Sequence, residues 1–265
     1  MMDRLTAEAL IDALHARHGI IAVVGAGGKK STLHRLVEAH RVLGTKRIAL
    51  TATVKTAQAA HSLDMSSIIG DIDEVRLAVR SSPNTEARFL IAAPSTTEGR
   101  LSGMPRNVIH HLHNEGHFDV TLVKADGARM RWIKAPNEDE PVIPEAATTI
   151  IPIVSARVFG KPISPRIAHR PDRLQAILGA DTDDGLKPHH IARLLTSNEG
   201  SLHHVGQAHV TPIINMVDSP ELLDLARDAA ETALHSTKRY DRILLTSMHA
   251  ESPVIEMIDR SPIQH

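Results

Sequence analysis

The sequence predicts an α/β protein with a mainly parallel sheet and helices on both faces. Continuous apolar runs, typical of strands buried on both sides, alternate with stretches of helical period. The predicted strands cover 20–24, 47–53, 88–93, 119–125, 148–154, 210–216 and 242–247. The predicted helices lie near 30–43, 73–81, 105–116, 172–180, 186–197 and 219–236. Because helices separate the strands, parallel pairing is favoured, with ligands beyond the carboxyl ends of the strands.

Composition limits the architecture and the chemistry. The chain has 265 residues, 42% hydrophobic and 2% aromatic, so its core must consist mostly of Ile, Leu, Val and Ala. We expect a single domain over residues 1–265, with an irregular proline-rich insertion around 129–171. The chain has no cysteine, which excludes disulfides, thiolate nucleophiles and cysteine-ligated zinc or iron–sulfur sites.

Charge and hydropathy bear on partners and location. The net charge is −1 and the pI is near 7, which gives no bulk attraction to nucleic acid or to an anionic membrane. No apolar run approaches the roughly 20 residues of a membrane span. The first residues, MMDRLTAEALIDALHARHG, predict an amphipathic helix with acids in it, unlike a signal peptide. We therefore expect a cytoplasmic protein with neither nucleic acid nor membrane as a partner.

A glycine-rich stretch, VGAGGKKST, links the first strand to the first long helix after it. A dinucleotide-binding turn requires G-x-G-x-x-G/A and an acid about 20 positions later. Gly25 and Gly27 fit this pattern, but Lys30 stands where a small residue is needed. The second strand ends in LTATVK, which lacks the acid. The dinucleotide pattern therefore fails twice, and it remains a third alternative.

The triphosphate-binding pattern fits better in a shortened form. The standard G-x-x-x-x-G-K-[ST] loop would place its first glycine at Val23. A shorter loop, G-x-x-G-K-[ST]-[ST], matches Gly25, Gly28, Lys29 and Ser31. Glycines let backbone N–H groups curl around an anion, and the helix N-terminus adds partial positive charge. The sequence thus predicts a loop that binds the phosphates of ATP or GTP. The alternative is a plain strand-to-helix turn that binds no ligand. Its predicted nucleotide-binding residues are Gly25, Ala26, Gly27, Gly28, Lys29, Lys30, Ser31 and Thr32.

Two further motifs follow predicted strands. Asp126-Gly127 ends an apolar strand, as does the aspartate that holds Mg²⁺ in P-loop proteins, although Asp-Gly is also a common turn. PIINMVD resembles the N-K-x-D guanine-recognition motif at Asn215 and Asp218, with Met216 in place of the lysine. The alternative is that Asn215 and Asp218 start a turn and cap the next helix.

These motifs together resemble a known family. VVGAGGKKST, LTATVK, KADGAR, KAPNEDEPVIP, HRPD and INMVD occur in this order and resemble the YqeC family. The resemblance implies a three-layer P-loop NTPase-like fold and a nucleotide-binding accessory protein of selenium-dependent molybdenum hydroxylases. The implied partners are a molybdenum hydroxylase or the proteins that mature its cofactor.

The resemblance also implies roles for particular residues. Lys29 would contact phosphates and Asp126 would be its acidic partner. We add Lys124 to this predicted catalytic group, although it departs from the family pattern. A substrate loop would carry Arg129, Lys134, Glu140, His169 and Arg170. A Mg²⁺ site would use Asp126, Ser31 and Thr51.

Two lysines depart from the family pattern. Lys30 replaces a hydroxyl residue, and Lys124 stands where an acid is expected. One hypothesis is an NTP hydrolase or NTP-dependent transferase that uses Mg²⁺, with Ser31 or Thr32 as ligand and Lys30 in solvent. The other is a carrier of a nucleotide or pterin nucleotide that does not hydrolyse it, in which the two ammonium groups offset phosphate charge.

Overall fold

A computed structural model describes residues 2–57, 63–83, 85–179 and 185–260. These residues form two compact units. The first unit comprises the described residues within 1–23, 30–127 and 142–150, and the second those within 24–29, 128–141 and 151–265. The expectation of a single domain stays a prediction.

Helices and strands alternate along most of the chain. The helices are α1 (Arg4–Ala13), α2 (Lys29–Val42), α3 (Ile72–Ser81), α4 (Arg106–Glu115), α5 (Pro171–Leu178), α6 (Pro188–Thr196) and α7 (Pro220–Ser236). The first strands are β1 (Gly19–Gly25), β2 (Arg47–Ala52), β3 (Thr56–Ala57), β4 (Ser66–Ile69), β5 (Ala87–Ala92), β6 (Arg100–Leu101) and β7 (Val120–Lys124). The later strands are β8 (Ile133–Lys134), β9 (Thr149–Ser155), β10 (Ala168–His169), β11 (His209–Val210), β12 (Ile213–Asn215), β13 (Arg242–Thr246) and β14 (Val254–Asp259).

The first unit contains five parallel strands in the order β1-β7-β2-β5-β4. Every residue of β2 is buried, so both of its faces are covered. The apolar core joins β2 and β7 to α3 and α4. Its members include Ala49, Val75, Val79, Ile91, Met104, Ile109, Leu112 and Val123. This packing leaves the carboxyl ends of β2, β5 and β7 at one edge of the sheet, because the three strands are parallel.

The second unit contains strands in the order β14-β13-β12-β9, with β11 beside β9. β9, β12 and β13 are parallel, and β14 pairs with β13 in the antiparallel direction. All seven residues of β9 are buried, so this sheet is also covered on both faces. β8 and β10 form a separate two-stranded parallel pair.

The predicted fold class is confirmed: the chain is a three-layer α/β protein with mainly parallel strands. The seven predicted strands and six predicted helices are present, with ends shifted by a few residues. The predicted strand 210–216 is divided into β11 and β12, and position 180 of one predicted helix lies outside the described residues. The segment 129–171, predicted as an irregular insertion, contains β8, β9 and β10. Among the described residues, no helix has the length and apolar character to cross a membrane.

Candidate functional site

The glycine loop connects the end of β1 to the start of α2. Gly25, Gly27 and Gly28 have φ angles of +88°, +87° and +138°, a region that strains residues with side chains. Their surroundings also exclude a side chain. A Cβ on Gly25 would lie 2.2 Å from the carbonyl oxygen of Ile153, and one on Gly28 would lie 2.1 Å from Nδ2 of Asn215. The loop therefore requires glycine for both conformation and space.

Two amides of the loop already donate to protein carbonyls. The N–H of Ala26 donates to Ile153 at 2.8 Å, and the N–H of Gly27 donates to Arg131 at 3.1 Å. The sequence led us to expect a run of consecutive amides directed at an anion. In the structure these two amides instead tie the loop to its own unit. The phosphate contacts of the loop stay a prediction.

Lys29 is the first residue of α2 and is 6% exposed. Its ammonium group donates to the carbonyl oxygen of Gly25, so the side chain folds back over the loop that precedes it. An ammonium group held against a carbonyl can exchange that partner for a phosphate oxygen, which carries more negative charge. The predicted phosphate lysine therefore lies at the glycine loop.

Asn215, the last residue of β12, is 1% exposed and fixes the same loop. Its Nδ2 donates to the carbonyl oxygen of Gly27 at 2.8 Å. Its Oδ1 accepts hydrogen bonds from Oγ1 of Thr246 at 2.9 Å and from the backbone N–H of Met248 at 3.2 Å. The Asn215 amide thus hydrogen-bonds to protein groups on both its nitrogen and its oxygen. Its place among the predicted nucleotide-binding residues stays a prediction.

Asp218 lies three residues further on and is exposed. Its carboxylate accepts hydrogen bonds from Arg157, the closer at 2.6 Å, and from the Ser247 hydroxyl at 2.8 Å. Partial burial would raise the pKa of Asp218, but these hydrogen bonds lower it below its usual value. The alternative that the motif caps the next helix is wrong. The N-cap of α7 is Ser219, whose hydroxyl accepts from the N–H of Leu222 at 3.3 Å.

The predicted substrate loop contains a partly buried ion cluster. The carboxylate of Glu140 accepts hydrogen bonds from Nζ of Lys134 and from the guanidinium of Arg170, each at 2.7 Å. The Lys134 side chain is only 2% exposed. Burial would raise the pKa of Glu140, but the hydrogen bonds from Arg170 and Lys134 lower it to about 2. The carboxylate therefore holds two cations in place at neutral pH.

His169 lies beside this cluster, because its strand β10 pairs His169 with Lys134. Burial, and then the charges of Arg170 and Lys134, lower the pKa of His169 to about 4. The imidazole is consequently neutral at pH 7 and retains one nitrogen that can accept a proton or a hydrogen bond. Arg129 is exposed and has a φ of +46°, and the sequence places it at the start of the same loop.

The remaining predicted residues belong to the first unit. Asp126 follows β7 and is 2% exposed. Its position is fixed because the N–H of Ala125 donates to Val23 at 3.1 Å and the Ala125 carbonyl accepts from Val142 at 2.8 Å. Thr51 is 4% exposed, and its hydroxyl donates to the carbonyl of Ile91 at 2.8 Å.

One carboxylate and two hydroxyls form the predicted metal set of Asp126, Ser31 and Thr51. Hard oxygen donors of this kind fit Mg²⁺, which is usually bound by one or two carboxylates together with water and phosphate oxygens. Across the described ranges, no group of three or more His, Cys, Asp or Glu residues is arranged for a metal ion. The metal assignment therefore stays a prediction.

Lys30 and Lys124, the two departures from the expected pattern, line the same pocket as Thr51. Lys30 lies in the first turn of α2 and is exposed. Lys124 ends β7, and its Nζ donates to the carbonyl of Lys55 at 3.2 Å. The pair thus brings two positive charges to the carboxyl edge of the first unit's strands.

Several residues that hold the loop or Asp218 have no direct signal in the sequence. Thr246 and Met248 donate hydrogen bonds to Asn215. Arg157 and Ser247 donate to Asp218. The carbonyl of Arg131 accepts from the N–H of Gly27. Thr246 and Ser247 were detectable in part, because they are polar residues at the carboxyl end of a predicted strand.

Comparison with known proteins places the chain in a family. The family model described as YqeC protein matches residues 21–172, more than half of the chain. The chain belongs to the YqeC family. A relative from Escherichia coli (strain K12), named "Uncharacterized protein YqeC", is 28% identical over 191 residues. That match covers 72% of this chain and 73% of the relative.

Among solved structures, this YqeC-family chain has low-scoring matches. It is similar to the hydrogenase maturation factor HypB from Archaeoglobus fulgidus, with 15% identity, a TM-score of 0.39 and coverage of 92% and 87% of the two chains. It is also similar to HypB from Helicobacter pylori in complex with nickel, with 11% identity, a TM-score of 0.38 and coverage of 93% and 86%.

Proposed function

We propose that the chain binds ATP or GTP at residues 25–32. The observation that carries this proposal is the glycine loop between a buried strand and a helix, with the Lys29 ammonium folded onto it. Asn215 and Ile153 hold the loop by hydrogen bonds, so little conformational entropy would be lost when an anion binds. The partial positive charge at the start of α2 favours phosphate at the same place.

The proposed biological role is that of an accessory protein in the maturation of selenium-dependent molybdenum hydroxylases. Family membership supports this role. The partners would be a molybdenum hydroxylase or proteins that mature its cofactor.

The proposed substrate loop would use its residues in two ways. Lys134 and Arg170 both donate hydrogen bonds to Glu140, so these three residues would stabilise the conformation of the loop. Exposed Arg129 and neutral His169 would then contact the second substrate.

The proposed chemistry is NTP hydrolysis or an NTP-dependent transfer. Mg²⁺, if bound by Asp126, Ser31 and Thr51, would neutralise charge on the phosphates. Lys29 would contact the outer phosphate oxygens, and Lys124 would supply a second positive charge.

A calorimetric panel tests the main proposal. ATP, GTP, a pterin-type nucleotide and NAD are titrated into the protein at one salt concentration, with and without Mg²⁺. We expect ATP or GTP to bind and NAD not to bind. Binding of NAD with no binding of either triphosphate would overturn the proposal in favour of the dinucleotide alternative.

Recognition of guanine by Asp218 is tested with the same titrations. If Asp218 contacts guanine, GTP should bind more tightly than ATP, and Asp218→Asn should lose this preference.

The second candidate is a carrier that holds its nucleotide without hydrolysing it. The presence of Lys30 and Lys124 in one pocket with Thr51 favours it, because an ammonium group offsets phosphate charge but cannot ligate a metal. The carrier should bind nucleotide almost as well in EDTA as in Mg²⁺. The double change Lys30→Thr with Lys124→Glu should then make binding depend on Mg²⁺. Brisk Mg²⁺-dependent hydrolysis by the unaltered protein would exclude the carrier and favour the enzyme.

A further inference from the structure

A pocket in the first unit lies at the carboxyl ends of three parallel strands. Leu50 near the end of β2, Ile91 near the end of β5 and Lys124 at the end of β7 line it. The first turns of α2 close another side with Lys30, Leu33 and His34. These three share one helix face, since they are spaced at i, i+3 and i+4. In parallel α/β sheets this edge is the usual place for a ligand.

The walls of this pocket combine apolar surface with positive charge. Leu33, Leu50 and Ile91 are at most 6% exposed, so they belong to the packed core. Lys30 and Lys124 supply the charge. Among the described residues that line the pocket, none is acidic.

His34 does not add a third charge. Burial, and then the positive charge of Lys30, lower the pKa of His34 from its usual value. Lys30 and Lys124 carry like charges in one pocket, so an anion between them would offset their mutual repulsion.

The size of the pocket limits the ligand. Its volume is about 440 Å³ with the open mouth counted. Ligand pockets range from roughly 300 to 1,000 Å³, so this one lies at the small end of that range. A ligand with a body of one ring or a short branched chain fits a pocket of this size.

We propose that this pocket binds a small organic anion, with its apolar body against Leu33, Leu50 and Ile91 and its charged group between Lys30 and Lys124. The ligand class is a phosphate ester or carboxylate with a body of one ring. The site lies within the first unit, and its ligand is distinct from the proposed nucleotide. It shares Lys30 with the proposed phosphate loop and Lys124 with the proposed catalytic group.

The test uses three probes that separate charge from shape. Phenyl phosphate has both an apolar ring and an anion, benzyl alcohol has the ring without the charge, and inorganic phosphate has the charge without the ring. Each is titrated into the full-length protein by calorimetry. We expect phenyl phosphate to bind at least tenfold more tightly than either of the other probes. Equal binding of phenyl phosphate and inorganic phosphate would overturn the proposal, because the apolar walls would then contribute nothing.

Variants locate the bound probe. Lys124→Met and Lys30→Met keep the length of the side chain but remove its charge, and each should weaken phenyl phosphate binding at least tenfold. Lys124→Arg should retain binding, which separates loss of charge from loss of structure. Lys46→Met, at an exposed lysine of the same unit, is the matched control and should bind as the unaltered protein does.

Lys29→Ala distinguishes this pocket from the glycine loop. Phenyl phosphate should bind unchanged to Lys29→Ala, even though nucleotide binding is weakened. Loss of phenyl phosphate binding in Lys29→Ala, or unchanged binding in Lys124→Met, would overturn the proposal. Failure of the nucleotide proposal would appear separately, as absence of ATP and GTP binding to the unaltered protein.

Discussion

Asn215 donates a hydrogen bond of 2.8 Å to the carbonyl oxygen of Gly27, joining residues 188 positions apart in sequence. The donor is at the end of β12, and the acceptor is in the loop that precedes α2. Both groups lie within the second unit, where Asn215 is almost fully buried. The amide side chain of Asn215 therefore helps to set the geometry of the proposed phosphate loop, together with the backbone bonds to Ile153 and Arg131.

Replacing that amide by a carboxylate should damage the loop. Asn215→Asp removes the donor to Gly27 and places negative charge beside a carbonyl oxygen in a buried position. We expect a loss of about 2–4 kcal/mol in the free energy of unfolding and at least tenfold weaker nucleotide binding. Urea denaturation and calorimetry measure the two effects. Thr246→Val is the matched control, because it removes one bond to Asn215 and keeps the bond to Gly27. Thr246→Val should lower the free energy of unfolding by only about 1 kcal/mol. Equal stability of Asn215→Asp and Thr246→Val would contradict a role for the bond to Gly27.

The glycines of the loop should tolerate alanine poorly. Gly28→Ala would force a Cβ against Nδ2 of Asn215, at a φ of +138°. We expect it to lower the free energy of unfolding by about 3 kcal/mol or more, from strain and steric overlap together. Gly206→Ala is the control, because Gly206 has a φ of +54° and open space around its Cα. It should cost about 1–2 kcal/mol. Equal losses in the two variants, measured by urea denaturation, would mean that Asn215 does not confine the loop.

Glu140 should be the main anion that stabilises the substrate loop. Glu140→Gln leaves the nearly buried Lys134 without its carboxylate, and we expect a loss of about 3–5 kcal/mol in the free energy of unfolding. Glu138→Gln is the control, since Glu138 is 86% exposed and lies 3.8 Å from Arg173. It should change stability by less than about 0.5 kcal/mol.

The same ion cluster predicts an acid-dependent loss of stability. The pKa of Glu140 falls from 4.5 to about 2 on folding, so its contribution is present above pH 4.5 and disappears as the pH falls towards 2. The free energy of unfolding should decline less steeply over this window in Glu140→Gln than in the unaltered protein. Parallel profiles for the two proteins would show that Glu140 has no depressed pKa.

His40 should make stability depend on pH in a separate, higher window. Its Nε2 donates to the carbonyl of Ala16 at 3.0 Å, its Nδ1 contacts the Thr45 hydroxyl, and burial lowers its pKa from 6.5 to about 4. The unfolded chain therefore takes up a proton below pH 6.5 that the folded chain does not. At pH 5 this difference destabilises the fold by about 2 kcal/mol relative to pH 7.5.

Denaturation of His40→Gln across the same range measures this effect. The Gln amide can still donate to Ala16 but does not titrate, so the variant should lack this part of the pH dependence. His235→Gln, at an exposed position, should keep the unaltered profile. A His40→Gln profile with the original slope would contradict the assignment.

The sequence predicts the main strands well because their physical signal is local. β1, β2 and β9 are continuous apolar runs, which is what burial on both faces requires. β14 was missed because VIEMID alternates with polar residues, as expected of an antiparallel strand with one face less buried. β4 was missed because its four residues include two serines and too little apolar surface.

The candidate site is less visible in sequence, because its partners come from distant elements. The glycines and Lys29 could be predicted, since loop chemistry depends on neighbouring residues. The hydrogen bond from Asn215 to Gly27 could not be predicted, because no neighbouring residue indicates which acceptor a buried amide contacts. The burial of Lys134 has no local signal either, because Lys134 lies in a charged, proline-rich segment. Its burial follows from the pairing of β8 with β10 and from the position of Glu140.

The nucleotide affinity of Lys29→Ala shows whether residues 25–32 bind phosphate. ATP and GTP are titrated by calorimetry into the unaltered protein, into Lys29→Ala and into Lys46→Ala, an exposed lysine that serves as the matched control. Lys29→Ala should bind nucleotide at least tenfold more weakly, a loss of about 1.4 kcal/mol or more, whereas Lys46→Ala should bind normally. Unchanged affinity in a folded Lys29→Ala variant would contradict the assignment of residues 25–32 as a phosphate-binding loop.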